Sequence, residues 1–211
     1  DNQYTQAFFR AVPGLHDWAM LGKAWYHTTE TEDGDPRFDV VLFDAPSTGH
    51  GLDMLRVPKV ILDIVPPGVL RRDAEEAWQL FQDAKKSGVV VVSLPEEMPT
   101  TETVELITAL REELVLPIAK LIVNGAGNRI FTEDERQALA AAPELLETVD
   151  AATDAAEVAL HIAARRAARE TLEANCIARL ERETALNATV LPFLLDGAGT
   201  PQGTAELAKR L

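Results

Sequence analysis

Residues 40–52 read Val-Val-Leu-Phe-Asp-Ala-Pro-Ser-Thr-Gly-His-Gly-Leu, and this stretch decides the fold. The apolar run begins at Phe38 and is continuous rather than alternating, which indicates a strand buried on both faces of a parallel sheet. We predict that this strand, residues 38–44, ends at Asp44. Residues 45–51 contain Pro, Ser and two Gly, which is typical of a loop.

An aspartate at the end of a buried strand is a candidate magnesium ligand. The strand would hold the Asp44 carboxylate rigidly, and such a carboxylate binds Mg²⁺ directly or through water. Gly49 follows five residues later, and a glycine lets a backbone N–H approach a phosphate group without a side chain in the way. The alternative is that Asp44 only caps the following turn.

Further strand signals follow along the chain. We predict buried strands at residues 89–94 and 118–124, and a last short strand or an ordered loop at residues 189–194. Helical sequence separates these segments, and no hairpin signals lie between them. This order predicts an α/β fold, with a mostly parallel sheet flanked by helices.

The carboxyl ends of the predicted strands indicate a site, because parallel α/β folds bind their ligands at that edge of the sheet. Asp44, Pro95 and Asn124 lie at such ends. The chain shows no internal repeat. We therefore predict a single α/β domain over residues 1–211.

The helical sequence falls into several segments. Ala, Glu, Arg and Leu dominate residues 133–187, and no Gly or Pro follows Pro143 there, so we predict a long helix. Another helix is expected to start near Pro99. The remaining predicted helices are residues 4–27 with an interruption near Pro13-Gly14, residues 52–86 broken at Pro58 and at Pro66-Pro67, and residues 203–211.

The charge and the cysteine count exclude several classes of function. The formal net charge is −14, which repels nucleic-acid phosphates and anionic lipids, so we expect neither as a direct partner. Cys176 is the only cysteine, which excludes an intrachain disulfide and fits a reducing cytoplasm. Lys120 and the arginines at 165, 166 and 169 are interpreted as solvated flanks rather than phosphate ligands. We predict a cytoplasmic protein.

Residues 40–52 resemble the switch II sequence of the ArsA/guided-entry type of anion-transporting ATPases, which are P-loop proteins of the SIMIBI class. Their sequence is Asp-Thr-Ala-Pro-Thr-Gly-His after an apolar strand. Here Thr48, Gly49 and His50 match, and the spacing of five from Asp44 to Gly49 is kept. The proline is displaced by one residue.

Three later segments resemble the same family in the same order. Residues 89–97 resemble its strand that leads to a Pro-Glu and helix pattern. Residues 121–124, Leu-Ile-Val-Asn, resemble its Val-Val-Asn strand end, and residues 191–193, Leu-Pro-Phe, resemble a late loop. The resemblance covers residues 38–211 and corresponds to the carboxyl-terminal two thirds of a family member.

The resemblance implies a catalytic group near the start of the chain. Asp44 would hold Mg²⁺ beside ATP, and Gly49 would sense the γ-phosphate. His50 would belong to the same switch loop, with the alternative that it only orders that loop.

The resemblance also implies a group that binds the adenine of ATP. Asn124 would read the base, and Pro192 and Phe193 would pack on it. From the residues alone, Asn124 could instead be a cap or turn after its strand, and Pro192 and Phe193 could be ordinary core residues.

The glycine-rich phosphate loop of the family is missing from these residues. No stretch matches Gly-x-x-x-x-Gly-Lys-[Ser/Thr], since Gly22 and Lys23 are followed by Ala24. That loop supplies N–H groups and a lysine to the β- and γ-phosphates, so we do not expect turnover by this chain alone. The chain begins at Asp1 rather than at methionine. We expect the amino-terminal part of a family member to have been removed or to lie on another chain.

The resemblance implies a dimeric switch, so we expect a homodimer or a heterodimer with a P-loop-containing chain. Membranes would be involved only through a cargo. One cysteine supports neither a three-cysteine arsenite site nor a paired-cysteine zinc clasp. Two other functions stay open, a non-catalytic partner subunit and a chaperone-like binder of apolar segments. In the chaperone case a small apolar groove would be lined by Met54, Leu55, Leu70, Trp78 and Phe81. The alternative is that these five residues are ordinary core residues.

Overall fold

The structure is a computed structural model that describes residues 14–146, 154–195, 197 and 199–211. By contacts within the chain it divides into two compact units. Unit 1 comprises Asp1–Val89 and Leu106–Ala119, and unit 2 comprises Val90–Glu105 and Lys120–Leu211. A single domain over the whole chain stays a prediction.

The helices and strands follow an α/β order along the described chain. The first part contains α1 (Leu15–Thr29), the short antiparallel strands β1 (Thr31–Glu32) and β2 (Asp35–Pro36), α2 (Thr48–Ile64) and α3 (Val69–Gln82). The second part contains β3 (Val89–Ser93), α4 (Glu97–Glu112), β4 (Ile118–Ala126), α5 (Glu133–Ala140), a 3-10 turn (Pro143–Leu146), α6 (Ala155–Thr184), β5 (Ala188–Pro192) and α7 (Pro201–Ala208).

Strands β3, β4 and β5 form a parallel three-stranded sheet in that order. In the pairing of β4 with β5, Leu121 lies opposite Ala188 and Val123 lies opposite Val190. The sheet confirms the predicted α/β class, with helices flanking a parallel sheet. It also confirms the strands predicted at 89–94, 118–124 and 189–194.

The strand predicted at residues 38–44 is wrong for the described structure. This segment is a coil between β2 and α2, and no backbone hydrogen bond joins it to a strand among the described residues. Val40 is 72% exposed and Leu42 is 91% exposed. The sequence meets the side-chain requirement of a buried strand. A strand also needs hydrogen-bonded neighbours, and the described chain supplies none here.

The helix predicted over residues 133–187 is divided. α5 begins with a capping box, in which the Thr132 hydroxyl accepts from the Glu135 N–H and the Glu135 carboxylate accepts from the Thr132 N–H. It ends before Pro143, which opens the 3-10 turn. The predicted long helix is α6, 30 residues that begin after the N-cap Asp154. Residues 147–153 lie outside the described residues.

Other helix boundaries differ in detail from the sequence predictions. Pro58 lies inside α2 without ending it, although it removes one helical N–H donor. The break comes at residues 65–68, where Pro66-Pro67 predicted it. α4 begins at Glu97, two residues before Pro99, and α7 begins at Pro201. The part of the first predicted helix before residue 14 lies outside the described residues.

Unit 1 is built on packing among α1, α2 and α3. Its core consists of the following residues: buried Trp18, Val57, Ile61, Ala74 and Ala77, with Trp25, Leu62, Val65, Leu70 and Phe81 packed against them. Met54 is also fully buried. The core interpretation of Met54, Leu70 and Phe81 is therefore confirmed.

Two smaller observations bear on the sequence predictions. Cys176 is buried on α6, as expected for a packing residue. No helix in the described part of the chain is long and apolar enough to cross a membrane. The cytoplasmic location stays a prediction.

Candidate functional site

The predicted site residues fall into two groups, one in each unit. The unit 1 group is Asp44, Gly49 and His50, and the unit 2 group is Asn124, Pro192 and Phe193. Each group has its own local geometry.

The unit 1 group surrounds the start of α2. Asp44 is exposed at the end of the coil segment 38–44, and no hydrogen bond or ion pair joins its carboxylate to another described residue. The Ser47 side chain occupies the N-cap position without capping the helix, and the first turn of α2 contains no acidic residue. The first N–H groups of α2 are therefore available to an anion.

Two glycines of the first turn of α2 have different surroundings. A Cβ atom on Gly49 would meet no atom within 4 Å, so this side of the turn is open. A Cβ atom on Gly51 would lie 2.5 Å from the carbonyl oxygen of Pro46. Gly51 therefore allows the preceding loop to lie against the helix, whereas Gly49 leaves room for a ligand group.

These surroundings predict opposite effects of two glycine substitutions. We expect Gly51→Ala to lower the free energy of unfolding by about 1–3 kcal/mol, because the new methyl group overlaps a backbone oxygen. Gly49→Ala is the matched control. It should be neutral or stabilise the protein by up to about 1 kcal/mol, because alanine favours the helix. Urea denaturation followed by circular dichroism measures both values, and equal stabilities would contradict this geometry.

His50 connects the start of α2 to α1. Its side chain is about half exposed, and its Nε2 atom lies 3.6 Å from Oδ1 of Asp17. No described contact joins His50 to Asp44. This position favours the ordering role of His50, and a catalytic role stays a prediction.

The unit 2 group begins with Asn124, which lies in a bulge at the end of β4. Pairing with β5 shifts between Val123 and Ala126, so that β4 contains one more residue than β5 in this interval. Gly125 has a φ of 73°, a left-handed conformation that glycine adopts without strain. A bulge redirects side chains and is frequent beside active sites. The Asn124 side chain is exposed and therefore accessible to a ligand.

Phe193 is joined to the same strand end. Its N–H donates to the carbonyl oxygen of Ala126 at 2.7 Å, and its side chain is 58% exposed. Pro192, the last residue of β5, pairs with Ala126 and is partly buried. The structure thus brings Asn124, Pro192 and Phe193 together at the adjacent ends of β4 and β5. The exposure of Phe193 argues against the alternative that it is a core residue.

A buried glutamate of α6 holds the segment between β4 and α5, residues 127–132, which we call the β4 loop. The Glu170 side chain has no exposed surface. Its two carboxylate oxygens accept hydrogen bonds from the N–H groups of Ile130 and Phe131, at 2.8 and 3.3 Å. Glu170 therefore satisfies two backbone donors that no strand or helix uses.

Two arginines balance the charge of Glu170. Arg166 Nε lies 3.2 Å and Arg136 Nη1 lies 3.6 Å from its carboxylate oxygens. Both arginines also donate to carbonyl groups of the β4 loop, Arg166 to Asn128 and Arg136 to Phe131. Desolvation raises the pKa of the Glu170 carboxyl. The hydrogen bonds from the Ile130 and Phe131 N–H groups and the charge of Arg166 lower this pKa by more than desolvation raises it, so the pKa of Glu170 lies below its ordinary value. Glu170 is therefore ionised at neutral pH.

Glu173, three residues further along α6, holds the first residue of the β4 loop. Its Oε2 atom accepts from the Gly127 N–H at 2.9 Å, and Arg169 Nε donates to its Oε1 atom at 2.8 Å. The same arginine donates to Glu96, three residues after the end of β3, at 3.0 Å. One arginine thus connects the ends of β3 and β4. A Cβ atom on Gly127 would lie 2.6 Å from Arg166 Nη2, so this glycine leaves room for the guanidinium group.

The sequence interpretation missed these glutamates, although their spacing carries a signal. Arg166 precedes Glu170 by four residues, and Arg169 precedes Glu173 by four. Such pairs are typical of solvent-exposed helix faces, which favours the interpretation of solvated flanks. The structure instead buries both glutamates and leaves the arginines partly exposed.

Comparisons with known proteins find distant relatives among ATPases. The chain is 28% identical over 191 aligned positions to ATPase BagA of Mycobacterium tuberculosis, and equally to candidate ATPases of Mycobacterium bovis and of a second M. tuberculosis strain. The alignment covers 82% of this chain and 56% of each relative, so the chain spans about half the length of the curated relatives it matches. No protein-family model matches the chain.

Proposed function

We propose that this chain contributes the switch and the base-binding portions of an ATP-hydrolysing protein of the ArsA-like type. The arrangement at the ends of β4 and β5 carries the proposal, because an exposed amide and an exposed aromatic ring lie there on hydrogen-bonded segments. The Asn124 amide can pair with N6 and N7 of adenine. The ring of Phe193 can stack on the base. The distant similarity to ATPases supports the same function.

The start of α2 would receive the phosphates. Mg²⁺ in phosphoryl-transfer sites is usually held by one or two carboxylates together with phosphate oxygens, and Asp44 fits this role because its carboxylate is exposed. When bound, Mg²⁺ neutralises phosphate charge. Gly49 would present its N–H to the γ-phosphate.

The phosphate loop would come from outside these 211 residues. In support, residues 38–44 have the sequence of a buried strand and no hydrogen-bonded neighbour in the described structure. Val90 and Val92 of β3 are also more than half exposed. We propose that a segment with the P-loop supplies a strand that pairs with residues 38–44. It would belong to the same polypeptide, or to another chain in a homodimer or heterodimer.

ATP hydrolysis by a form that carries the P-loop tests the proposal. We expect Asp44→Asn to reduce Mg-ATP turnover by about a hundredfold or more, because a lost metal contact removes several kcal/mol of transition-state stabilisation. The matched control is Asp39→Asn, which changes an exposed aspartate near the other end of the same segment and should keep turnover. Unchanged turnover in Asp44→Asn would overturn the catalytic proposal and favour a non-catalytic partner subunit.

A further inference from the structure

We propose that Glu170 and Glu173 are positioning residues for recognition of the nucleotide base. Through the β4 loop, they fix the bulge that presents Asn124. This inference rests on the proposed function of Asn124 and adds the residues that hold it in place.

The bulge needs support from both of its ends. On one side, regular pairing with β5 stops at Val123. A bulge leaves its extra residue unpaired and disrupts the local ladder, so strand pairing alone holds it weakly. On the other side, Ala126 pairs with Pro192, and Gly127 is held by the carboxylate of Glu173. Along the chain after Asn124, the hydrogen bond from Gly127 to Glu173 is therefore the first contact that holds the backbone from outside the sheet.

The remainder of the β4 loop is held equally firmly. Glu170 fixes the N–H groups of Ile130 and Phe131, while Arg166 and Arg136 hold two of the carbonyl groups of the loop. Hydrogen bonds to ionised groups are about twice as strong as neutral ones. The loop cannot shift without breaking several of them together, so movement of the loop is not transmitted to the bulge.

Stability alone is a weak explanation for this arrangement. Surface loops are ordinarily solvated, and burial of a charge pair is frequently no more stabilising than apolar packing of the same volume. The alternative use of buried charges is to impose one conformation. Here the buried charges impose one conformation on the β4 loop, which begins three residues after Asn124. Arg169 extends the same network to Glu96 after β3.

The test uses a form that carries the P-loop and compares its affinities for ATP and for inosine triphosphate, in which an oxygen replaces the N6 amine of the base. We expect the unaltered protein to prefer ATP by about tenfold or more, as one bidentate contact provides. Glu173→Met removes the acceptor for the Gly127 N–H while keeping a helix-forming side chain of similar length. It should reduce the preference to about two-fold or less. Glu173→Gln keeps an acceptor oxygen and should restore the preference.

Glu183→Met is the matched control. Glu183 lies on the same helix and pairs with Arg179 four residues before it at 3.0 Å, but it accepts no hydrogen bond from the β4 loop. This variant should keep the full ATP preference. Amide hydrogen exchange of Gly127 without nucleotide provides a second measurement, and Glu173→Met should accelerate it at least tenfold while the β4 amides stay protected.

The outcomes separate the two proposals. Absence of ATP preference in the unaltered protein would overturn the base-binding function, and the positioning role with it. A preference that Asn124→Ala removes and Glu173→Met leaves intact would overturn the positioning role alone. Unchanged exchange of the Gly127 amide in Glu173→Met would do the same.

Discussion

Glu170→Ala lowers the free energy of unfolding by about 3–5 kcal/mol, the largest effect that we expect of a substitution in unit 2. The substitution removes the buried carboxylate that accepts from the N–H groups of Ile130 and Phe131. It also removes one of the two carboxylates that pair with Arg136, whose side chain is only 12% exposed, and leaves Glu133 as the other. Urea denaturation of the folded chain, followed by circular dichroism, measures the loss.

The control for this prediction is Glu183→Ala. Its ion pair with Arg179 has similar geometry but lies at the surface, where such pairs contribute about 0–1 kcal/mol. A loss of less than about 1 kcal/mol in Glu170→Ala would show that the network does not hold the β4 loop as the structure describes it.

Ile61→Ala should lower the free energy of unfolding by about 2–5 kcal/mol, because it opens a cavity in the core of unit 1. Ile61 is fully buried at the junction of α1, α2 and α3. The matched control is Ile64→Ala, three residues further along the same helix, where the side chain is 57% exposed. That change should stay within about 0.5 kcal/mol. Similar losses in the two variants would contradict the packing of α2.

The sheet was accessible to sequence analysis because its strands carry their own signals. Residues 89–94 and 118–124 are apolar runs between helical segments, and the structure forms β3 and β4 there. Residues 38–44 carry the same signal but remain a coil. A sequence specifies which side chains a strand presents, whereas a strand also needs a hydrogen-bonded neighbour, and residues 38–44 have none among the described residues.

The candidate site was predictable in part. The rule that ligands bind at strand ends selected Asn124, and the structure places this residue beside Phe193. The bulge itself follows from a one-residue register shift, which no pattern in a single strand reveals. Glu170 was missed because an arginine four residues before a glutamate has the same spacing on a buried face as on an exposed one.

The exposure of the apolar segment 38–44 also has a consequence for self-association of the chain. Residues 40–43 are four apolar residues in a row, three of them exposed, and they form a short template of the kind on which identical chains stack into cross-β fibrils. Asp39 and Asp44 bracket this template, and flanking charges of one sign act as gatekeepers because stacked copies repel each other. Loss of the Asp44 charge therefore removes a gatekeeper as well as the proposed metal ligand.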